Sequence, residues 1–302
     1  MRIGVALADP SGPDAFPRLH DDLRRAAGDG FASAWLSNIF GMDALTALAV
    51  VGGQVPGIEL GSAVVPSYPR HPAALAQQAL TVAAAVGGRL TLGIGPSHRV
   101  VIEDMFGLDF SRPVRHVREY LQVLLPLLDK RAVSFEGETV RASVRLTTPA
   151  PGRVPVVLAA LGTQMLRLAA QETEGTVLWM TGPATVRDHV VPTITRAAAD
   201  AGRPSPRVIC LLPVCVTDDP DRARERATRV LGFYGDLPSY RAMLDREGAA
   251  GPADVALVGD EDAVGGQVQA LAAAGVTDFV AVEYTRGPDA VRTRAFLRSL
   301  LS

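Results

Sequence analysis

The sequence predicts an α/β fold, a (β/α)8 TIM barrel with an inserted β-hairpin and a late helical insertion. Short apolar runs rich in β-branched residues alternate with longer stretches of helical periodicity along all 302 residues, the rhythm of a parallel sheet wrapped by helices. About eight such runs can be counted, the number that closes a barrel. Polar or glycine-bearing turns follow the runs, where barrels of this kind collect their functional groups. A single domain over residues 1–302 is expected, with insertions near 132–146 and 232–251.

The elements follow in order. Arg2 to Leu7 reads as the first strand and opens into a polar loop, Ala8 to Phe16. Leu19 to Ala27 has apolar residues at helical spacing, with Asp21 and Asp22 expected in the first turn and Gly28 and Gly30 as the stop. Phe31 to Ser37 is the second strand, and Asp43 caps a helix running to about Val51. Ile58 to Val65 is the third strand. Pro72 starts the helix Ala73 to Val86, because a proline in the first turn costs no hydrogen bond. Arg89 to Gly95 is the fourth strand and runs into Pro96-Ser97-His98.

Pro113 to Leu128 is an amphipathic helix, and Ala132 to Leu146 reads as a hairpin outside the main alternation. Val154 to Ala159 and Gly175 to Met180 are the next strands, with a helix from Gly162 to Gln171 between them. Pro183 to Ala201 is a long helix that Pro192 should kink. Arg207 to Val216 is a strand interrupted by Pro213, and Asp219-Pro220 begins a helix towards Tyr234. Pro238 to Glu247 and Ala263 to Ala274 are helical, Asp278 to Glu283 is the last strand, and Ala290 to Leu301 closes the chain.

Composition excludes several classes. Apolar residues at 48% and charged residues at 21% suit a large core rather than disorder. A net charge of -2 with scattered Arg and Lys offers no basic field for nucleic acid or an anionic membrane. No apolar run reaches a membrane span and no leader precedes the first strand, so a cytoplasmic protein acting on a small-molecule substrate is expected. Cys210 and Cys215 are spaced for neither redox nor zinc chemistry, and no metal site is expected. An open doubly wound sheet fails on its fingerprint: in Gly93-Ile94-Gly95-Pro96-Ser97-His98 the third glycine is a histidine.

Four segments, Gly61-Ser62-Ala63-Val64-Val65, Arg70-His71-Pro72, Ala76-Gln77-Gln78-Ala79 and Gly88 to Gly95, resemble the luciferase-like monooxygenase superfamily in order and spacing. Leu161 to Ala169 and Thr176 to Pro183 are most similar to its coenzyme F420 (deazaflavin) oxidoreductases. The resemblance implies a flavin-like ring at the mouth of the barrel, with F420 as cofactor and FMN as the alternative. It also allows a homodimer through barrel helices such as the Ala-rich 73–86.

In a barrel of this type the candidates lie at strand ends: Asp9, Asn38, Ala63 to Ser67, Pro96 to His98, Ala160 to Thr163, Met180 to Pro183 and Glu283-Tyr284. By resemblance Ala63, Val64 and Val65 press on one face of the ring, and the Ala63-Val64 bond matches a non-proline cis peptide. On residues alone these are equally ordinary strand positions. Pro96 and Ser97 are further cofactor-binding candidates that the resemblance implies. Ala160, Leu161, Gly162 and Thr163 open a helix whose free N–H groups suit a phosphate, or make a plain strand-to-helix turn. Met180, Thr181, Gly182 and Pro183 form a second such turn beside the cofactor's phosphodiester tail.

The catalytic candidates are His98, Asn38 and Tyr68. His98 could donate a proton, or be a loop histidine bonded to backbone. The better-known deazaflavin dehydrogenases carry Asp-His after the second strand, where this chain has Asn38-Ile39. Asn38 cannot take a hydroxyl proton, so the pattern favours hydride delivery to an activated C=C or C=N bond, with His98, Tyr68 or water as weak acid. An FMN-dependent monooxygenase is the second expectation and a non-catalytic flavin-binding barrel the third. Tyr234, Tyr240 and Arg241 either close over substrate or pack an extra helix on the barrel.

Overall fold

A computed structural model describes residues 1–149 and 152–301. Its centre is a closed parallel barrel of β1 Arg2–Ala6, β2 Ser33–Leu36, β3 Glu59–Ser62, β4 Leu90–Gly95, β5 Val156–Ala159, β6 Gly175–Trp179, β7 Arg207–Val216 and β8 Asp278–Glu283. Each strand pairs with the next and β8 returns to β1, with Arg2 opposite Asp278. Closure leaves no unpaired barrel edge.

Helices α1 Ala15–Asp29, α2 Ala44–Gly52, α3 Pro72–Ala85, α4 Pro113–Lys130 and α5 Thr163–Glu172 cover the first part of the barrel. In α4 the buried Val117, Tyr120, Leu121, Leu124 and Leu128 recur at helical spacing and face the strands. The antiparallel hairpin Ala132–Glu136 with Arg141–Arg145 follows α4. Glu119 fastens it, accepting from the Thr139 N–H at 2.6 Å and the Thr139 hydroxyl at 2.7 Å.

The remaining helices are α6 Pro183–Thr185, α7 Val191–Asp200, α8 Pro220–Leu231, α9 Pro238–Glu247, α10 Glu261–Ala273 and α11 Pro288–Ser299. Proline stands at the start of α8, α9 and α11, where its fixed φ favours entry and its missing N–H is not needed.

Several expectations are corrected. α1 starts at Ala15, so Asp21 and Asp22 lie beyond its first turn, paired with Arg24 and Arg25 at 3.3 and 3.4 Å. The helix expected over 183–201 is interrupted by a π-helical turn, Val186–Val190, just before Pro192. A proline that cannot donate to the preceding turn is accommodated by that wider winding. Pro213 does not interrupt β7. It falls between Leu211, the last residue paired with β6, and Val214, the first paired with a short strand at Leu257–Gly259, where a missing donor is tolerated. That short strand was not legible in the sequence.

The third strand is also shorter than expected. Leu60 lies opposite Leu90 and Val65 opposite Ile94, so one extra residue is inserted and the chain bulges at Ala63-Val64. The Ser62 hydroxyl bridges the gap, donating to the Gly93 carbonyl at 2.9 Å and accepting from the Gly93 N–H at 3.0 Å.

Inside the barrel Trp35, Val157, Val177, Ile209, Leu211 and Val280 form a packed layer. Gly61 makes room for the Trp35 ring, which a Cβ there would strike. Charges close the floor. Arg207 reaches Glu59 at 2.9 Å and Asp278 at 2.7 Å, Arg2 reaches Glu59 at 2.6 Å, and the Thr91 hydroxyl donates to Glu59 at 2.7 Å. Burial raises the Glu59 carboxyl, but Thr91, Arg207 and Arg2 outweigh it and hold the group below the usual carboxylate range. Access to the interior is therefore from the C-terminal ends of the strands.

Candidate active site

Above the packed layer, Ala6, Ala63, Val64, Trp179 and Val282 are partly buried apolar residues at the upper ends of β1, β3, β6 and β8. They make a small-residue floor at the barrel mouth with one large wall, Trp179. The Ala63-Val64 peptide is cis, and Ala63 is held by its N–H donating to the Leu36 carbonyl at 2.9 Å. Val64 packs over β4, where a Cβ on Gly95 would lie 2.9 Å from its Cγ2 and 3.0 Å from the Ala159 Cβ. Glycine at 95 is thus what lets Val64 sit in the mouth, and Val65 is buried behind it.

Pro96 and Ser97 are half-buried, and Ser97 has φ of 64°, a left-handed conformation uncommon outside glycine. The turn aims His98 at the late insertion. The His98 ring lies 5.1 Å from that of Tyr240, and its Nδ1 is 3.4 Å from the Ser239 hydroxyl. Burial pushes its pKa below the ordinary 6.5, so the imidazole is neutral at pH 7. Tyr240 packs edge-on against Tyr234, and Tyr234 against Trp179, at 5.5 and 5.6 Å between centroids. The insertion therefore lines one side of the mouth from β4 to β6.

The other catalytic candidates are placed differently. The Asn38 side-chain carbonyl accepts from the Ala44 N–H at 2.9 Å, beside Asp43, which caps α2 through Thr46 at 2.8 Å. Asn38 shapes its loop. Tyr68 stacks on His116 at 3.8 Å, in a cleft of about 340 Å³ that Tyr120, Thr139 and Arg141 also line. Burial and the neighbouring Asp109 push its phenol up to about 12, a poor proton donor. Burial lowers His116 to about 4, and its Nε2 lies 3.1 Å from the Ser67 hydroxyl. Among other strand-end candidates, Asp9 accepts from the Met42 N–H at 3.2 Å, Glu283 pairs with Arg294 at 3.2 Å, and the Tyr284 hydroxyl donates to the Ala223 carbonyl at 3.1 Å.

The two helix starts expected to hold an anionic tail are unequal. Ala160 is buried, and Leu161 lends its carbonyl to His189 at 2.8 Å. Gly162 and Thr163 are exposed, no side chain caps α5, and a Cβ on Gly162 would meet only open space. Free N–H groups and a Thr hydroxyl there fit a phosphate. At the second start Met180 and Thr181 are fully buried, and the Thr181 hydroxyl turns back to the Trp179 carbonyl at 3.2 Å. Beyond Gly182 and Pro183, the N–H groups of Ala184 and Thr185 donate to the Glu247 carboxylate at 3.0 and 2.7 Å. That carboxylate satisfies the donors and brings negative charge where a phosphodiester was expected. Trp179 and Glu247 were not singled out in the sequence: Trp179 lies within the Thr176 to Pro183 resemblance but as the end of a strand, and Glu247 lies in no motif.

Comparisons with known proteins agree with this fold. The family model described as luciferase-like monooxygenase matches residues 1–280. A 5,10-methylenetetrahydromethanopterin reductase of Archaeoglobus fulgidus is 27% identical over 256 residues, covering 82% of this chain and 74% of its own. The solved coenzyme F420 dependent tetrahydromethanopterin reductase of Methanopyrus kandleri superposes with a TM-score of 0.83 at 22% identity, over 100% of this chain and 97% of that one. The oxygenating constituent of 3,6-diketocamphane monooxygenase from Pseudomonas putida, solved with FMN, superposes with a TM-score of 0.78 at 17% identity, over 100% and 97%. The two superpositions speak for the fold.

Proposed function

This chain belongs to the luciferase-like monooxygenase family, and on that premise we propose that it is a coenzyme F420-dependent oxidoreductase acting as a reductase on an activated C=C or C=N bond of a small organic substrate. When bound, the reduced deazaflavin supplies the hydride, because its carbon at position 5 makes it a two-electron donor that reacts poorly with oxygen.

The observation that carries the reading is the composition of the mouth. Its floor is made of the small apolar side chains Ala6, Ala63, Val64 and Val282, and the neutral imidazole of His98 follows β4 beside Tyr240. A floor of that kind supports the face of a planar ring and keeps water from it. The side-chain carbonyl of Asn38 is committed to Ala44, leaving no base at the position where an alcohol oxidation would need one. Reduction asks less of the protein: a proton must reach the carbon or nitrogen that does not receive hydride, and the protonated fraction of His98 can supply it. The open start of α5 at Gly162-Thr163 receives the anionic tail. The reductase relative of Archaeoglobus fulgidus supports this direction, and a putative coenzyme F420-dependent oxidoreductase of Mycobacterium tuberculosis, 28% identical over 277 residues, supports this cofactor.

The test is turnover. Reduced deazaflavin should be consumed on addition of cyclic enones or imines; robust alcohol oxidation with no enone or imine reduction would overturn the reading. An FMN-dependent monooxygenase is the second reading, favoured by the FMN-bound structural neighbour.

A further inference from the structure

We infer that the substrate is uncharged and carries an apolar body that lies across the outer mouth against Phe40 and Phe106, an inference that rests on the reductase reading of that mouth. Two loops supply the surface. One follows β2 and carries Ile39 and Phe40; the other follows β4 and its π-helical turn Val100–Met105, and carries Met105, Phe106 and Leu108. Their rings meet, with Phe40 and Phe106 centroids 6.2 Å apart and tilted by 55°. In the barrel order β3 lies between β2 and β4, so the pair spans the end of the strand that carries Ala63 and Val64.

These side chains are not hidden. Phe40 is 61% exposed, Ile39 57%, Met105 56% and Phe106 43%. An exposed apolar patch of that kind, at the ends of the barrel strands, marks a place where something apolar binds. Charge narrows the occupant. Arg99 is the one cation between residues 38–43 and 99–110, and it is paired with Glu103 and set over the Phe110 ring. Asp104 and Asp109 share these loops, and Asp43 there is paired with Arg70, which is thereby occupied. A phosphate ester or carboxylate would find acidic groups and no free cation there, whereas a neutral hydrocarbon body finds two aromatic rings. Trp179 and Tyr234 form the matching wall across the floor. The substrate class this selects is a neutral enone or imine bearing an alkyl chain or fused rings.

The experiment uses the full chain and a series of 3-alkyl-2-cyclohexenones from methyl to heptyl, with Kd read from quenching of tryptophan fluorescence. Each added methylene should lower Kd by about fourfold until the chain outgrows the rim. The Phe40→Ala/Phe106→Ala variant should flatten that dependence without changing the melting temperature, since both rings are exposed. A Kd independent of chain length, or a carboxylate-bearing enone bound as tightly as the heptyl compound, would overturn the inference. So would light scattering that shows a dimer split by Phe40→Asp, which would give the patch to a second copy of the chain. Chain-length-dependent binding without any turnover sinks the reductase reading alone; turnover indifferent to chain length sinks the apolar-body inference alone.

Discussion

The Glu247 carboxylate accepts the backbone N–H of Thr185 at 2.7 Å, tying the end of α9 to the first turn of α6. An inserted helix is thereby clamped to the barrel next to the mouth, and the Thr185 hydroxyl adds a bond to the Met243 carbonyl at 3.2 Å. Glu247→Ala removes a charged helix cap and should cost about 1–2 kcal/mol, read from denaturant unfolding. Its effect on cofactor binding is more telling. With the anionic tail at α5, deazaflavin affinity should hardly change; a large tightening in this variant would mean that the tail belongs at α6.

Gly93 and Gly95 should respond differently to alanine. A Cβ at Gly93 strikes the Ser62 carbonyl, a backbone atom of the bulge itself, whereas one at Gly95 meets the side chains of Val64 and Ala159. Gly95→Ala is predicted to cost about 1–3 kcal/mol, as overpacking does, and to weaken cofactor binding by displacing Val64. Gly93→Ala should cost more, because the backbone there cannot yield without breaking the Ser62 bonds. Melting curves and cofactor titrations of the two variants separate these effects.

The floor of the barrel makes a pH prediction. Glu59 is held below its ordinary value near 4.5, so it contributes stability that is present above that pH and lost as pH falls through its folded value. Arg207→Met leaves Glu59 and the buried Asp278 without their main partner, and should cost about 3–5 kcal/mol at pH 7. The same variant should lose less stability on acidification below pH 4.5 than the parent. An unchanged acid limb in urea melts would contradict the role given to this network.

With His98 as the proposed proton donor, its titration sets the pH dependence expected of turnover. Its pKa is lowered by burial, so the protonated donor is a minority at pH 7 and grows as pH falls. The chemical step should accelerate below pH 6.5 and level off once His98 is protonated, and His98→Gln should remove that limb. A single-turnover rate that is flat with pH in the parent would transfer the proton to water.

The barrel was legible because its strands are continuous apolar runs and its helices begin at prolines and capping acids, all local signals. Asp43 as the cap of α2 and Pro72 at the start of α3 could be read directly. What escaped depends on partners distant in sequence. The Glu59–Arg207 pair joins residues 148 apart, and Glu247 meets α6 only because the insertion folds back over it. Tyr68 escaped for the same reason, since the His116 ring stacks on it, whereas Asn38 is held locally by the Ala44 N–H. Pro213 and Pro192 show the opposite limit, since a proline's local penalty vanishes where no donor is required or where the helix widens.

Fluorescence titration of the purified apoprotein with the deazaflavin coenzyme and, separately, with FMN decides which cofactor the mouth holds. Micromolar or tighter binding of the deazaflavin, weakened by Gly95→Ala, and much weaker binding of FMN are expected. Tight FMN binding with negligible affinity for the deazaflavin would contradict the proposed cofactor and point to oxygen-dependent chemistry at the same mouth.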